Sequence, residues 1–171
     1  MIVIQRCIHC PGPTDVESGP FLCDSPCPDA FVWEMTWKSL HTPAEPVLPS
    51  EDITEIVDRL IAIARLQEGV GMAAPQIGVA KRIAIVNAHR SPLILVNPVI
   101  SRHGRQVITA AEDCLTTKHS IVYVPRFRII EIDFQDLNRQ NQHLRLTDFD
   151  ARVAQHEVDH LDGKLIVDLL P

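Results

Sequence analysis

Residues 147–162 read TDFDARVAQHEVDHLD, and this stretch decides how the rest of the chain is interpreted. Its apolar residues and histidines recur at helical spacing, so it is predicted to form a helix. On that helix His156 and His160 lie four residues apart on one face, where two neutral imidazoles can bind one divalent cation. Glu157 lies beside them and can carry a proton. The alternative is a pair of histidines on a solvated helix surface.

Composition bounds the classes of function that the chain can have. It has 171 residues, of which 46% are hydrophobic, and this suits one domain with a real core or one domain plus a small appendage. The net charge of −6, with no run rich in lysine and arginine, argues against a nucleic-acid partner. No segment approaches the ~18 to 20 apolar residues of a membrane span. The N-terminal residues MIVIQRCIHC lack the pattern of a secretory signal, so a cytoplasmic location is expected.

Residues 1–30 are predicted to be a Cys/Pro-rich N-terminal extension, and residues 31–171 a catalytic domain. The extension holds four of the five cysteines, in a Cys-x2-Cys pair and a Cys-x3-Cys pair that can enclose a structural zinc ion. Reduced thiols in a flexible arm and disulfides are the alternatives, although the odd total argues against an all-disulfide framework. The candidate zinc ligands are Cys7, Cys10, Cys23 and Cys27, with His9 as a spare.

The pattern of elements predicts the fold class. Residues 51–67 carry an apolar stripe with helical period behind a Ser50 N-cap, which predicts a helix. Short strands rich in β-branched residues follow, and the helix over 147–162 comes last. This order predicts an α+β fold with short mixed or antiparallel sheets around a central HExxH helix. The predicted strands are 82–87, 93–100, 105–109, 120–124, 127–134 and 143–147.

Residues 69–78 read GVGMAAPQIG, a glycine-rich segment that is open to several interpretations. A dinucleotide-binding turn needs a strand before it and a helix after it, whereas here a helix precedes the glycines and Pro75 interrupts any helix after them. The favoured interpretation is a tight loop whose glycines let the backbone approach a ligand, with Gln76 offering an amide donor. A plain turn between a helix and a strand is the alternative.

Residues 112–116 read EDCLT and contain the remaining cysteine, Cys114. Its thiolate is a candidate third ligand beside His156 and His160, because two imidazoles and one thiolate leave the fourth position of a tetrahedral metal for water. The alternative is a buried structural thiol, which is common for cysteine.

These three segments, in this order, resemble the peptide deformylase family, whose patterns are GxGxAAPQxG, EGCLS and QHExDHLxG. The resemblance covers about residues 38–170. It implies a metal-dependent amide hydrolase that removes the formyl group from N-formylmethionyl peptides. It also implies that Cys114, His156 and His160 bind one divalent ion, with ferrous iron expected and zinc or nickel able to replace it. Glu157 falls on the general acid and base of the family.

The other matching residues fall on the family's contacts to the substrate. Gln76 and the backbone N–H of Leu115 correspond to the donors that hold the developing oxyanion, where one lost donor costs ~10²–10³ in rate. Val70 and Gly71 fall on the loop whose backbone pairs with the substrate. A close-walled site would select a formyl group because its carbonyl carbon carries only hydrogen.

The chain departs from the family pattern beside the expected metal ligand. Asp113 stands where the family has glycine, and it is expected to lie near the substrate, with solvent exposure or a pair with Lys118 as the plainer alternatives. Thr116 replaces a serine, Lys118 a proline, and Ile121 an arginine that steadies the substrate in bacterial members. A distortion at Asp113 would favour a catalytically inactive relative retained as a binding module.

Arg152 is four residues before His156 and therefore shares its helix face, at a position that in the family is usually apolar and lines the pocket for the methionine side chain. A cation there would favour a polar or acidic substrate group, because an unpaired buried charge is costly. An anionic or otherwise specialised N-formyl substrate is therefore an alternative. The other interpretation of Arg152 is an i,i+4 pair with Asp148 that turns the guanidinium outward.

Two further expectations concern partners and class. The substrate is an N-formylated peptide or small molecule, and docking on the ribosome is doubtful because the sequence stops at Pro171 without the basic C-terminal helix of ribosome-docking members. A general HExxH protease is disfavoured, because the candidate third ligand is Cys114, upstream of the helix, rather than a residue downstream of it.

Overall fold

The computed structural model describes residues 37–87, 92–117 and 121–169. Within these ranges the helices are α1 (Trp37–Leu40), α2 (Thr54–Leu66) and α3 (Asp148–Leu161). The strands are β1 (Gly71–Ala73), β2 (Ile83–Val86), β3 (Leu93–His103), β4 (Val107–Glu112), β5 (Val122–Phe127), β6 (Ile129–Gln135) and β7 (Asn141–Thr147). Short 3₁₀ turns lie at Ala74–Ile77, Leu115–Thr117 and Ile166–Leu169.

The described strands form two sheets. Five of them pair in the order β1-β2-β3-β6-β7, while β4 and β5 form a separate two-stranded sheet. Each of these strand pairs is antiparallel, as expected where short turns connect neighbouring strands. The prediction of an α+β fold with short sheets is therefore confirmed.

Helix α3 lies against the larger sheet, where it packs on β1, β2 and β7. Its apolar face is buried against side chains from the central strands, and each such leucine or isoleucine contributes about 1.5–3 kcal/mol on burial. The polar residues of α3 therefore have a fixed direction relative to the sheet. The helix residues in this cluster are Ala151, Val153, Ala154 and Val158, and the strand residues include Leu95, Ile130 and Ile132.

The turn after α3 requires a glycine. Gly163 has a φ of 72°, in the left-handed region that side chains disfavour. A β carbon there would also lie 2.8 Å from the carbonyl carbon of His41 and 2.9 Å from that of Thr42. The backbone that precedes α2 is thus packed directly against the end of α3.

Two local predictions were wrong. Helix α2 begins at Thr54 without a cap from Ser50, because Oδ1 of Asp52 accepts the N–H of Thr54 at 2.9 Å and stabilises a later start. Residues Gly71–Ala73, predicted as part of a loop, form β1. Three residues carry too little alternation to be recognised as a strand, and β1 exists because it pairs with β2 through Met72↔Ile85.

The N-terminal extension lies outside the described residues, and so do its candidate zinc ligands Cys7, Cys10, Cys23 and Cys27. The structural zinc ion and the division at residue 30 therefore stay predictions. Lys118, named as an alternative partner of Asp113, also lies outside the described residues. Among the helices in the described ranges, none is long and apolar enough to cross a membrane.

Candidate functional site

The side chains of Cys114, His156 and His160 converge beside α3. The Sγ atom of Cys114 lies 3.3 Å from Nε2 of His160, and Nε2 of His160 lies 3.1 Å from Nε2 of His156. Together the three candidate ligand atoms lie within 4.8 Å of one another. His156 and His160 belong to α3, and Cys114 follows β4. Folding therefore brings one sulfur and two nitrogen atoms together from two separate elements.

In the metal-free site Cys114 and His156 stabilise each other's charged forms. Burial by itself raises the pKa of the Cys114 thiol, but hydrogen bonds with His156 and His160 outweigh it and lower the pKa to about 5. Burial likewise lowers the pKa of His156, yet Cys114 and the nearby Glu112 raise it to about 10. A divalent metal that binds here displaces the proton of His156 and meets a thiolate and two imidazoles, a ligand set that several first-row metals accept. The residues therefore fit the metal that the sequence implies.

Glu112 orients one of the two histidines. Its Oε2 is 3.0 Å from Nδ1 of His156, which directs the opposite nitrogen, Nε2, toward Cys114 and His160. Arg126 donates from Nε and Nη2 to the two oxygens of the same carboxylate, each at 3.0 Å. Burial raises the pKa of Glu112, but the donors from His156 and Arg126 outweigh it and lower the pKa to about 2.

Arg126 also connects the two-stranded sheet to α3, because its Nη1 donates to Oδ2 of Asp159. The roles of Glu112, Arg126 and Asp159 were not predicted from the sequence. One signal was available for Arg126: it follows Val122 and Val124 at the period of two that marks the inward face of β5. An arginine on an inward face requires a buried carboxylate partner.

Glu157 lies next to the histidines and is 3% exposed. Its Oε2 is buried without a hydrogen-bond partner among the described residues. Burial raises the pKa of this carboxyl to about 7, although electrostatic interaction with the neighbouring histidines opposes the shift. A buried carboxyl that titrates near neutral pH can both accept and donate a proton.

Gly71 allows β1 to approach this carboxyl. A β carbon at residue 71 would lie 2.3 Å from Oε1 of Glu157 and 2.7 Å from Cγ1 of Val153. Val70, which precedes it, is 45% exposed, and its carbonyl oxygen accepts the N–H of Asn87 at 2.7 Å. The structure thus places Gly71 at the site and commits the Val70 carbonyl to an internal hydrogen bond.

Gln76 lies in the 3₁₀ turn after β1 and is 5% exposed. Its Oε1 accepts the N–H of Ala73 at 2.8 Å, so the opposite side of the amide, Nε2, faces the site. Nε2 donates to Oγ1 of Thr116 at 2.9 Å and lies 3.9 Å from Sγ of Cys114. Leu115 lies between Cys114 and Thr116 in the chain and begins the turn Leu115–Thr117. The side chain of Gln76 is therefore close to the backbone of Leu115.

Asp113 forms part of the turn around Cys114. Its side chain is exposed, and Oδ1 accepts the backbone N–H of Cys114 at 2.8 Å. The backbone of Asp113 is outside the positive-φ region, so an aspartate replaces the family's glycine here without strain of that kind. Ile121, on the far side of the same segment, is 69% exposed.

Arg152 forms different contacts from those that its sequence position suggests. Its Nη1 donates to Oε1 of Glu112 at 2.6 Å and to the carbonyl of Val124 at 2.9 Å. The pair with Asp148, which was the alternative interpretation of Arg152, is contradicted by the contacts of both residues. Asp148 starts α3 with a φ of 54°, which removes the helical geometry of an i,i+4 pair, and its Oδ1 accepts Nε of Arg128 at 2.6 Å.

Comparison with known proteins gives consistent matches. The family model described as polypeptide deformylase matches residues 32–171. Peptide deformylase 1 of Nostoc sp. is 33% identical over 135 residues, which span 75% of this chain and 72% of that protein. Among solved structures, a peptide deformylase from Synechococcus elongatus in complex with actinonin has a TM-score of 0.75 and 32% identity, with 78% of this chain and 74% of that chain covered. A Met-Ala-Ser-bound class I type b peptide deformylase from Acinetobacter baumannii has a TM-score of 0.73 and 28% identity, with 78% and 92% covered.

Proposed function

Because the chain belongs to the polypeptide deformylase family of metal-dependent hydrolases, we propose that it removes the formyl group from N-formylmethionyl peptides at the site built around Cys114, His156 and His160. The observation that carries this proposal is the convergence of these three side chains within 4.8 Å beside the buried carboxyl of Glu157. Together these residues supply a ligand set and a proton carrier in one place.

Cys114, His156 and His160 would hold one divalent ion, and we propose ferrous iron, with zinc and nickel as replacements that the same ligands accept. Such an ion supplies Lewis-acid assistance to a carbonyl oxygen and makes water a stronger acid near neutral pH. The Glu112 carboxylate supports the arrangement, since its contact with Nδ1 of His156 leaves Nε2 free to bind.

Glu157 is proposed as the general acid and base. Its carboxylate takes a proton from the water that attacks the formyl carbon, and then donates that proton to the leaving amine. The pKa of about 7 that burial gives this carboxyl allows both steps at neutral pH. The unpartnered Oε2 is the atom on which the proton would travel.

Gln76 and the backbone N–H of Leu115 are proposed to hold the oxyanion that develops as the water adds. The amide of Gln76 is already oriented, because Ala73 binds its oxygen and Thr116 accepts from its nitrogen. A donor fixed before reaction costs no reorganisation when the charge appears. Val70 and Gly71 are proposed to border the substrate, as in the family pattern.

The structure gives little support to the alternative of an anionic formyl substrate. That alternative required a free positive charge at Arg152, whereas its guanidinium binds the Glu112 carboxylate and two backbone carbonyls. The Met-Ala-Ser peptide in the Acinetobacter baumannii structure is consistent with a methionyl substrate for a protein of this fold. We therefore retain formylated methionyl peptides as the proposed substrate, with Asp113 and Arg152 beside the site.

The test is deformylation of formyl-Met-Ala-Ser by protein purified without oxygen and loaded with ferrous iron, nickel or zinc. We expect turnover by the parent protein and a loss of about 10²–10⁴-fold in the Glu157→Ala variant, with the metal still bound. Stoichiometric metal without turnover on this peptide would contradict the proposal. Formylated acidic peptides are assayed in parallel. Turnover of these peptides would indicate a different formyl substrate, and no turnover of any of them would indicate an inactive binding protein.

A further inference from the structure

Arg152 is held in place by three acceptors. Besides Oε1 of Glu112 and the carbonyl of Val124, Nη2 donates to the carbonyl of Ile108 at 2.5 Å. Only 12% of its side chain is exposed. A guanidinium with this burial and these acceptors has one orientation, so Arg152 is a fixed part of the wall beside His156.

The three acceptors come from both strands of the small sheet, with Ile108 and Glu112 on β4 and Val124 on β5. Arg152 shares the attachment of this sheet to α3 with other side chains. Gln155 already binds the backbone of Phe127 through its Oε1 at 3.0 Å and its Nε2 at 2.8 Å. Arg126 adds the contact with Asp159. Two other attachments therefore join β5 to the helix.

Charge balance gives Arg152 a more specific role. Without it, Arg126 would be the single guanidinium shared by two carboxylates, Glu112 and Asp159. With it, two guanidinium groups face two carboxylates. If Arg152 were apolar, Oε1 of Glu112 would lose its donor at 2.6 Å, and the carboxylate would turn on its remaining bonds to Arg126 or move with Arg126 toward Asp159. Either change moves Oε2, the atom that faces Nδ1 of His156 at 3.0 Å.

We propose that Arg152 is a positioning residue for His156, acting through Glu112 to fix the imidazole that binds the metal. The proposal rests on the proposed function in taking Cys114, His156 and His160 as the metal ligands. Arg152 is then a second cation, beside Arg126, that holds Glu112. It lies one helical turn before His156, the ligand that Glu112 orients. Removing a group that orients a metal-binding histidine typically weakens metal binding by about 10–100-fold.

The test compares zinc dissociation constants, measured by competition with a chelator at one fixed pH. The full chain is used with serine in place of each N-terminal cysteine, so that Cys114 is the one remaining thiol. We expect Arg152→Met to weaken zinc binding about 10-fold. The same change should give no further loss in a Glu112→Gln background, because the two residues act in series. The visible spectrum of the cobalt-loaded protein should change with the affinity.

The matched control is Arg128→Met, which removes an arginine that pairs with α3 through Asp148 and also donates to Gln106. It should leave the zinc dissociation constant unchanged. If Arg152→Met fails to fold, Arg152→Lys takes its place, since it keeps the charge but cannot span three acceptors, and a smaller loss of affinity is expected.

Parental zinc affinity in the folded Arg152 variant would overturn the proposal, and so would losses that simply add in the double variant. Failure of deformylation has a separate meaning. A parent protein that binds zinc at Cys114 and loses affinity with Arg152→Met, but does not turn over formyl-Met-Ala-Ser, would contradict the proposed function alone.

Discussion

The carboxylate of Glu157 fills the space that a side chain on Gly71 would need: a β carbon at residue 71 would lie 2.3 Å from Oε1 of Glu157. The two residues belong to β1 and α3, so the close approach of a strand to a helix depends on the missing side chain. The strand in turn encloses the carboxylate and excludes water from it. The raised pKa of Glu157 follows from this enclosure.

Replacing Gly71 with alanine should therefore displace Glu157. We expect kcat/KM on formyl-Met-Ala-Ser to fall by about 10²-fold, the cost of a misplacement of about 1 Å at a reacting group. Gly104→Ala is the control, because its β carbon would meet Cβ of Ile129 at an ordinary 3.4 Å. Parental activity in Gly71→Ala would show that Glu157 does not need its present position.

The orientation of Gln76 gives a graded prediction. Gln76→Ala removes a proposed oxyanion donor and should lower kcat by about 10²–10³-fold. Thr116→Val removes only the Oγ1 that accepts from Nε2 of Gln76, so its loss of kcat should be smaller. Steady-state kinetics on both variants checks the order. A larger loss in Thr116→Val than in Gln76→Ala would contradict the role given to the amide.

The thiol of Cys114 should be ionised in the metal-free protein at neutral pH. Burial raises its pKa, but the two histidines outweigh burial and bring the pKa to about 5, below the ordinary value of 9.0. The thiolate is therefore present above about pH 5 and is lost as the pH falls through that value. Thiolate absorbance in the far ultraviolet, followed in the chain whose other cysteines are serine, measures this transition. A midpoint near the ordinary value would show that the histidines do not stabilise the thiolate.

Gly163→Ala should destabilise the fold while leaving all three proposed metal-binding side chains in the sequence. The backbone at residue 163 has a φ of 72°, and the added methyl group would meet the backbone of His41 at 2.8 Å. The positive φ alone costs a residue with a side chain about 1–3 kcal/mol. The free energy of unfolding in urea checks this, with Gly104→Ala as the variant expected to stay near the parent. Equal midpoints for the two variants would contradict the packing described for this turn.

The sequence predicted those parts of the site whose residues lie close together in one segment of the chain. Helix α3 was predicted within one residue at each end, because its apolar period and its histidines are encoded in one segment. Cys114 was proposed as the third ligand because it is the one cysteine outside the N-terminal cluster, and the resemblance of three segments to a known family implied the same role. The fold class followed from the order of helical and strand-like patterns, without knowledge of which strands pair.

The sequence did not predict the contacts that depend on pairing between distant elements. Arg152 was expected to bind Asp148 or to face the substrate, yet it binds Glu112, which is 40 residues away in the chain. That contact exists because β4 and β5 lie across α3, and the position of a separate two-stranded sheet is not encoded in any local period. Strand β1 was missed for the same reason, since pairing with β2 defines it.

Cys114 and His160 stand 46 residues apart in the chain and face each other only when the sheet and the helix are assembled. An ion that binds this arrangement and not the unfolded chain raises the free energy of unfolding by about 2.7 kcal/mol at a free concentration of 100 times its dissociation constant. Metal supply is then expected to affect the lifetime of the protein against proteases as well as its turnover. Starvation for the metal would reduce the amount of this enzyme in addition to its specific activity.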